Sequence, residues 1–390
     1  MPLVFVHGVN NRDGGAYREN EVSRNGFLRE IVAPALGQSP SVLTIFTPYW
    51  GEHGAQFAWG MAVLPNPEEK FETFGGESAD SAKGEALGRV TGLLAESPDI
   101  TGHIVVDAQR NFSEAVDLLY ASSMAGMETE EQARDLARSY LLSASYAEAN
   151  PHPGWVENAS EDNFVDQLDY VSNISEVEVF GAGGIVASLK EGISRLASAI
   201  PDAASSKAGR LWRKNLNTTL TRFAGDAFTY LARRGTKSAP GPIVATVLDA
   251  LRQANVARSP GDDKLVVIAH SFGGEIMYDI LTHFDPTIQV DCLVTVGSQV
   301  GLFEEMKLYR ASSIELPVDP PQGRVARPEN VKRWLNVFDT NDAFSYRLEP
   351  VMAGVWDFHY DTGYSSIGAH GGYFLRPSFY KRLAKRLIQE

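Results

Sequence analysis

The segment from residue 264 to residue 281 narrows the possible folds of this chain more than any other, because an apolar run ends abruptly at a serine among small residues. Leu265–Ile268 predicts a buried strand, since short continuous apolar runs are typical of strands covered on both faces. Ser271 follows, with Ala269 two residues before it and Gly273 two residues after it. A sharp turn that holds a serine in a strained conformation needs small neighbours at these positions. The pattern predicts a strand, a tight turn and a helix; an ordinary turn with an exposed serine is the alternative.

The serine of this turn is a candidate nucleophile, and a nucleophilic serine needs a base that accepts its proton. His270 is its neighbour, on the side of the turn that faces away from a pocket, and His283 falls well inside the following helix. His359 belongs to a strand-like alternation, whereas His370 lies in a small-residue stretch that predicts a loop before the last helix. We expect His370 to be the base, because a base must be free to face a pocket. Capping of the final helix is the alternative role.

An acid that orients the base is expected between the serine and the histidine in the sequence. Arg333–Phe338 predicts a strand in that interval, and two aspartates follow it, Asp339 at the strand tip and Asp342 in the loop beyond. Loop placement gives the reach that an orienting carboxylate needs, so Asp342 is preferred and Asp339 is the alternative. Either aspartate also fits a structural role, because aspartates often hydrogen-bond the backbone of their own turn.

Backbone amides that stabilise an oxyanion are expected at two places. One is the residue after the serine, Phe272, and the other lies in the loop after an early strand. Pro2–Val6 predicts that strand, and Gly8 behind it permits a turn that would direct the Val9 amide into a pocket. Any strand can end in glycine, so Gly8 indicates an oxyanion loop only in combination with the serine turn.

These motifs together resemble the serine hydrolases of the α/β-hydrolase superfamily, in a style close to lipase-like and GPI inositol-deacylase-like bacterial hydrolases. The resemblance covers residues 1–50 and the chain from about Leu220 onward. It implies an α/β-hydrolase fold, with a mostly parallel central sheet flanked by helices, and a serine-centred site for acyl transfer. The roles it implies are Ser271 as nucleophile, His370 as base, Asp342 or alternatively Asp339 as acid, and the Val9 and Phe272 amides as oxyanion donors.

The chain departs from the usual pattern of that superfamily at two points. Ala269 stands in place of the first glycine of the serine motif, which is a tolerated change. The strand before Gly8 follows Met1 directly, and this predicts a smaller sheet than the full version of the fold.

The strand and helix signals predict a large helical insertion, a cap or lid, within the α/β core. The expected parts are residues 1–50 as the first piece of the core, 51–210 as the mainly helical insertion, and 211–390 as the second piece with the catalytic residues. Inside the insertion, the sequence predicts helices over Thr129–Ala149 and Leu211–Arg234 and a polar, glycine-rich loop over Pro65–Gly88.

One predicted helix of the insertion carries a hypothesis about substrate access. Its apolar residues fall on one face, namely Ile185, Leu189, Ile193, Leu196 and Ile200. Gly181–Gly184 precedes this stripe and would serve as a hinge. The stripe fits a lid over Ser271 that makes transient contact with a membrane or micelle. A plain amphipathic helix docked on the protein is the alternative, and it is the commoner structure.

Charge and residue spacing narrow the expected partners. A formal net charge of -14 argues against nucleic acid as a partner. The single cysteine, Cys292, lies in a predicted strand, which favours a buried, unreactive thiol. His7, His53 and His103 lack the spacing of metal ligands, so neither a metal nor another cofactor is expected. Met1 leads directly into a core strand, and we therefore expect a cytoplasmic protein.

The function expected from the resemblance is hydrolysis of a carboxylic ester, a lipid or other acyl ester, through an acyl-enzyme on Ser271. A thioesterase or an amidase would use the same residues, because the fold does not select the leaving group. A catalytically idle binding module with the same fold is the alternative from another class.

Overall fold

The computed structural model describes residues 2–12, 14–64, 103–124, 127, 129–173, 184–199, 206–259, 264–318, 323–364 and 366–389. The chain forms two compact units. The first unit comprises Met1–Asp13, Val42–Met61 and Thr218–Asp361, and the second comprises Gly14–Ser41, Ala62–Asn217 and Thr362–Glu390. The loop predicted over Pro65–Gly88 lies outside the described residues. The predicted limits of the insertion, residues 51–210, stay a prediction.

Strands and helices follow one another along the described chain. The strands are β1 (Pro2–Val6), β2 (Thr44–Phe46), β3 (Val266–His270), β4 (Val290–Val296), β5 (Val325–Ala326), β6 (Val331–Phe338), β7 (Met352–Ala353) and β8 (Trp356–His359). The α-helices are α1 (Gly15–Phe27), α2 (Ala33–Ala35), α3 (Ile104–Arg110), α4 (Phe112–Met124), α5 (Glu130–Ala149), α6 (Phe164–Ser172), α7 (Gly184–Ala199), α8 (Ser206–Arg233), α9 (Pro242–Val256), α10 (Gly273–Asp279), α11 (Val300–Glu305), α12 (Ser366–Gly372) and α13 (Pro377–Ile388). Short 3-10 turns occur at Gly51–His53, Gly154–Asn158 and Tyr373–Leu375, and π-helical turns at Leu28–Val32 and Ile280–Phe284.

A six-stranded parallel sheet with the order β2-β1-β3-β4-β6-β8 forms the centre of the first unit. The strand β1 and the residues Val266–Ala269 of β3 are continuous, buried apolar runs, as expected where both faces of a parallel sheet are covered. Val6 lies beside Ala269, and Ala269 lies beside Thr295, so β1, β3 and β4 end at the same edge of the sheet. The α/β fold and the mostly parallel sheet predicted from the sequence are confirmed.

Helices of the first unit pack against this sheet around one apolar core. The helix α9 contacts β1, and α10 contacts β3 and β4. Val247 and Leu251 of α9 and Ile276 of α10 are fully buried together with Val267 of β3. Truncating one such leucine to alanine costs about 2–5 kcal/mol of folding free energy, because it removes apolar contacts and leaves a cavity.

The second strand is shorter than the sequence predicts. The apolar pattern favours a strand over Ser41–Phe46, whereas β2 spans only Thr44–Phe46. Thr44 pairs with Pro2, where β1 begins, so the two strands start side by side. The expectation that β2 extends to Ser41 was therefore wrong.

The second unit contains the amphipathic helix that the sequence singles out. The stripe residues Ile185, Leu189, Ile193 and Leu196 are buried, and α7 packs on α4. Within this unit the apolar stripe is buried, as expected for an amphipathic helix that docks on the protein. Ile200 and the glycines at 181–183 lie outside the described residues, and a lid role for α7 stays a prediction.

Two further sequence expectations concern local structure. The predicted helix over Thr129–Ala149 forms as α5, and Thr129 caps it: the Thr129 side chain accepts from the Gln132 N–H while the Gln132 side chain accepts from the Thr129 N–H. Cys292 is buried in β4, as predicted, and burial raises the pKa of its thiol to about 11. Among the described helices, none is both long and apolar enough to span a membrane.

Candidate active site

Ser271 occupies the sharp turn between β3 and α10. Its φ is +52°, in the left-handed region that residues other than glycine rarely adopt. Such a conformation costs on the order of 1–3 kcal/mol and persists only where surrounding contacts enforce it. In this turn the Ser271 N–H donates to the Val296 carbonyl at 2.9 Å, and the Ser271 carbonyl accepts from the Gly274 N–H at 2.9 Å. The strained serine that the sequence pattern predicts is therefore present.

Two glycines make room for this turn because they have no side chain. A Cβ at Gly8 would lie 2.4 Å from the Ser271 Cβ and 3.0 Å from its Oγ. A Cβ at Gly273 would lie 2.5 Å from the Val6 carbonyl oxygen. The end of β1 and the serine turn are therefore packed closely together, and a side chain at either glycine would force them apart.

The ring of Phe272 anchors the turn from the core side. It is fully buried and makes edge-to-face contacts with Tyr230, at 5.3 Å between ring centroids, and with Phe303, at 5.6 Å. Such pairs contribute about 0.5–1.5 kcal/mol beyond the burial of their area. Phe272 thus fixes the start of α10 with its side chain and presents its N–H at the turn.

The backbone amides of Val9 and Phe272 have one property in common. Within the described part of the chain, neither N–H donates a hydrogen bond. Backbone N–H groups without a partner are rare in folded proteins, because each costs about as much as a lost hydrogen bond. These two amides are the ones that the sequence predicts as oxyanion donors, and their open N–H groups are suited to that role.

His7 is a structural residue of the same loop. The Trp50 N–H donates to Nε2 of His7 at 3.1 Å, so Nε2 is the acceptor and Nδ1 carries the proton. Nδ1 then donates to the Gly8 carbonyl at 2.8 Å. The His7 ring also stacks on the Trp50 ring with centroids 4.8 Å apart.

A buried carboxylate that sequence reasoning missed holds the loop after β1. Asp226, on α8, is fully buried and accepts from the Asn10 N–H at 3.0 Å and from the Ala55 N–H at 2.7 Å. The Arg12 guanidinium donates to both of its oxygens, at 2.6 and 3.2 Å. Asn11 adds a second clamp, since its Nδ2 donates to the carbonyls of Gly8 and Val9. The run of polar residues after the first strand was the only sequence signal for this network.

Both candidate acids are buried in the loop after β6, and both shape it. Oδ1 of Asp339 accepts from the Asn341 N–H at 2.8 Å, and Oδ1 of Asp342 accepts from the Phe344 N–H at 2.9 Å. Each aspartate therefore makes the turn bond that was the alternative to catalysis. The choice between Asp339 and Asp342 stays a prediction.

Glu275 and Gln299 link this loop to the helix of the serine. Oε1 of Glu275, on α10, accepts from the Gln299 N–H at 2.7 Å. Nε2 of Gln299 donates to the carbonyls of Gly297 and Phe344. Complete burial raises the pKa of the Glu275 carboxyl to about 8. A neutral Glu275 thus connects the serine helix to the residue that bonds Asp342.

The histidines are distributed over both units. His370 lies in the second unit on the helix α12, so the predicted loop at this position was wrong. Gly372, the last residue of this helix, packs closely against Tyr364, since a Cβ there would lie 2.2 Å from Cδ2 of Tyr364. His359 lies in the first unit at the end of β8; it is exposed, with Nε2 3.4 Å from Oγ1 of Thr340. The base role of His370 stays a prediction.

The first unit is thus a parallel α/β fold that carries a strained serine at the carboxyl end of a central strand. A partial similarity to a protein of Saccharomyces cerevisiae described as a probable mitochondrial phospholipase amounts to 32% identity over 110 residues. The matched region covers 26% of this chain and 15% of the yeast protein. No family model matches the chain, and no solved structure matches it. Among the described residues, no group of three His, Cys, Asp or Glu side chains is placed to hold a metal ion.

Proposed function

We propose that this protein is a serine hydrolase that cleaves carboxylic esters through an acyl-enzyme on Ser271. The observation that carries the proposal is the strained backbone of Ser271, with φ at +52°, between β3 and α10. Strain of this kind is retained where a side chain must be presented in one orientation, and a strand-to-helix turn with a strained serine is the arrangement of a nucleophile elbow. The contact with Gly8 and the open Val9 and Phe272 amides support the same interpretation.

In the proposed reaction, Oγ of Ser271 attacks the ester carbonyl carbon while its proton passes to His370. The carbonyl oxygen becomes an oxyanion that accepts hydrogen bonds from the Val9 and Phe272 N–H groups. Collapse of this intermediate breaks the bond to the alcohol, which takes the proton from His370. Water then attacks the acyl-enzyme in the same way and releases the carboxylic acid. Asp342 is the proposed acid that stabilises the charged imidazole, with Asp339 as the alternative.

The proposed substrates are acyl esters of lipids. Support comes from the partial similarity to the yeast protein described as a probable phospholipase. Transient contact with a membrane or micelle is part of this proposal, because long-chain esters reside in such phases. A thioesterase or amidase would use the same chemistry, so the leaving group has to be determined by assay.

The proposal is tested by hydrolysis of p-nitrophenyl esters of two to sixteen carbons, with and without detergent micelles. Ser271→Ala should lose at least about a thousandfold in kcat/KM, since the nucleophile itself is removed. The matched control is Ser312→Ala, whose hydroxyl donates to Glu304 at 2.7 Å in the same unit, and it should hydrolyse these esters at the wild-type rate.

Chain-length dependence then defines the substrate class. Activity that rises with chain length and with micelles indicates a lipase. Release of fatty acid from phosphatidylcholine vesicles would then show that phospholipids are among its substrates. A short-chain preference indicates an esterase. Equal activity of wild type and Ser271→Ala, or none in either, would exclude the proposed mechanism and favour a non-catalytic binding module.

A further inference from the structure

The loop after β1 contains two successive peptide groups that differ in how they are held. The Val9–Asn10 peptide is held at both ends: its carbonyl accepts from Nδ2 of Asn11 at 3.2 Å, and its N–H donates to Oδ2 of Asp226 at 3.0 Å. The Gly8–Val9 peptide is held at its carbonyl alone, by Nδ2 of Asn11 at 2.9 Å and Nδ1 of His7 at 2.8 Å. Its N–H, on Val9, has no acceptor among the described residues.

The orientation of the Val9 N–H follows from the geometry of the peptide group. In a trans peptide the carbonyl and the N–H point in opposite directions. A carbonyl of Gly8 that is fixed by two donors therefore fixes the direction of the Val9 N–H. Rotation of this peptide would break both hydrogen bonds and turn the carbonyl oxygen to where the N–H now points.

We propose that Asn11 is a positioning residue for the oxyanion amide of Val9, and that Asp226 holds the loop on which Asn11 acts. This inference rests on the proposed function, since it assigns Asn11 a role in that reaction. Asn11 contributes by bonding two consecutive carbonyls at once, which a residue with one donor cannot do. Asp226 contributes by joining the loop to α8 and, through Ala55, to the segment after β2.

The chain offers a matched control for Asn11. Nδ2 of Asn330 also donates to two carbonyls, those of Leu281 at 3.1 Å and Ile288 at 2.9 Å, in the same unit. Asn11→Ala and Asn330→Ala therefore each remove two hydrogen bonds from a side-chain amide to backbone carbonyls, at different places in the unit. Loss of fold stability alone would affect both variants in the same way.

The test measures ester hydrolysis by both variants and inhibition by an alkyl boronic acid, which forms a tetrahedral adduct on a serine nucleophile. In Asn11→Ala we expect kcat to fall by about ten- to a hundredfold, less than for deletion of an oxyanion donor, with KM little changed. Boronic acid affinity should fall by about the same factor as kcat/KM, because both depend on the tetrahedral state. Asn330→Ala should match wild type in both measurements once corrected for folded protein.

A second variant, Asn11→Asp, keeps the side-chain volume, removes the donor and should lose activity in the same way. The inference is wrong if folded Asn11→Ala or Asn11→Asp keeps wild-type kcat and boronic acid affinity. It is also wrong if Asn330→Ala loses kcat to the same extent. Absence of Ser271-dependent activity in the wild type would instead refute the proposed function, so the two failures are distinguishable.

Discussion

Gly8 and Ser271 are in direct contact, and the place of a Gly8 Cβ would be only 2.4 Å from the Ser271 Cβ. Real Cβ atoms essentially never come this close to another atom, so the two segments leave room only for a glycine at position 8. The contact joins the loop that carries one open amide to the turn that carries the serine. A single methyl group added at Gly8 should therefore disturb both segments.

Gly8→Ala should therefore reduce ester hydrolysis by at least about a hundredfold, because the loop or the serine turn must move to admit one methyl group. The measurement is kcat/KM on a short p-nitrophenyl ester, with the melting temperature recorded alongside. Gly14→Ala, where nothing lies within 4 Å of the added Cβ, is the control. A fully active Gly8→Ala enzyme would show that the contact has no part in catalysis.

The two aspartates after β6 should differ in kcat. Asp342→Asn should lower it by about 10²–10⁴-fold, whereas Asp339→Asn should stay within a few-fold of wild type. Asparagine keeps the Oδ1 acceptor for the Phe344 or Asn341 N–H, so the turns should persist in both variants. Steady-state kinetics on one ester decides the assignment, and the reverse order would make Asp339 the acid.

The histidines allow a similar paired comparison. His370→Ala should lose at least about a thousandfold in kcat, because Ser271 would have no base. His359→Ala should retain wild-type kcat, since this exposed residue contacts Thr340 and has no proposed role. Loss of activity in His359→Ala with full activity in His370→Ala would reverse the assignment of the base.

Glu275 should make stability depend on pH in a defined direction. Burial raises the pKa of its carboxyl from 4.5 to about 8, so the folded state binds this proton more tightly than the unfolded state. The associated stability is fully present below pH 4.5 and is lost as pH rises through about 8. Glu275→Gln, which is neutral at every pH, should lack this loss.

Urea unfolding between pH 5 and pH 8 measures the effect. The free energy of unfolding should fall by at least about 1 kcal/mol more in wild type than in Glu275→Gln, since one pKa unit corresponds to about 1.4 kcal/mol. Glu329→Gln, at an exposed position, should follow wild type. Parallel pH profiles for wild type and Glu275→Gln would mean that Glu275 is not a buried neutral acid.

The sequence predicts β1 and β3 well because these strands are almost entirely continuous apolar runs. β1 has the limits that the sequence predicts, and the serine turn is recognisable from the small residues around Ser271. These features depend on neighbours along the chain, so a local pattern carries them.

Local sequence patterns do not predict the hydrogen bonds between Asp226 and the loop after β1, or the helix that contains His370. Asp226 bonds Asn10 across 216 positions, and no local pattern marks the two as partners. The stretch around His370 is rich in glycine, which predicts a loop by propensity. Tertiary packing can override that propensity, and Gly372, the last residue of α12, packs closely against Tyr364.

Covalent labelling of the intact protein with an alkyl fluorophosphonate, followed by mass spectrometry of the digested chain, tests whether Ser271 is a nucleophile without any assumption about the substrate. We expect one adduct, on the peptide that contains Ser271, formed within minutes and absent from the denatured protein and from Ser271→Ala. An unlabelled Ser271, or a label on another serine at the same rate, would contradict the assignment of Ser271 as the nucleophile.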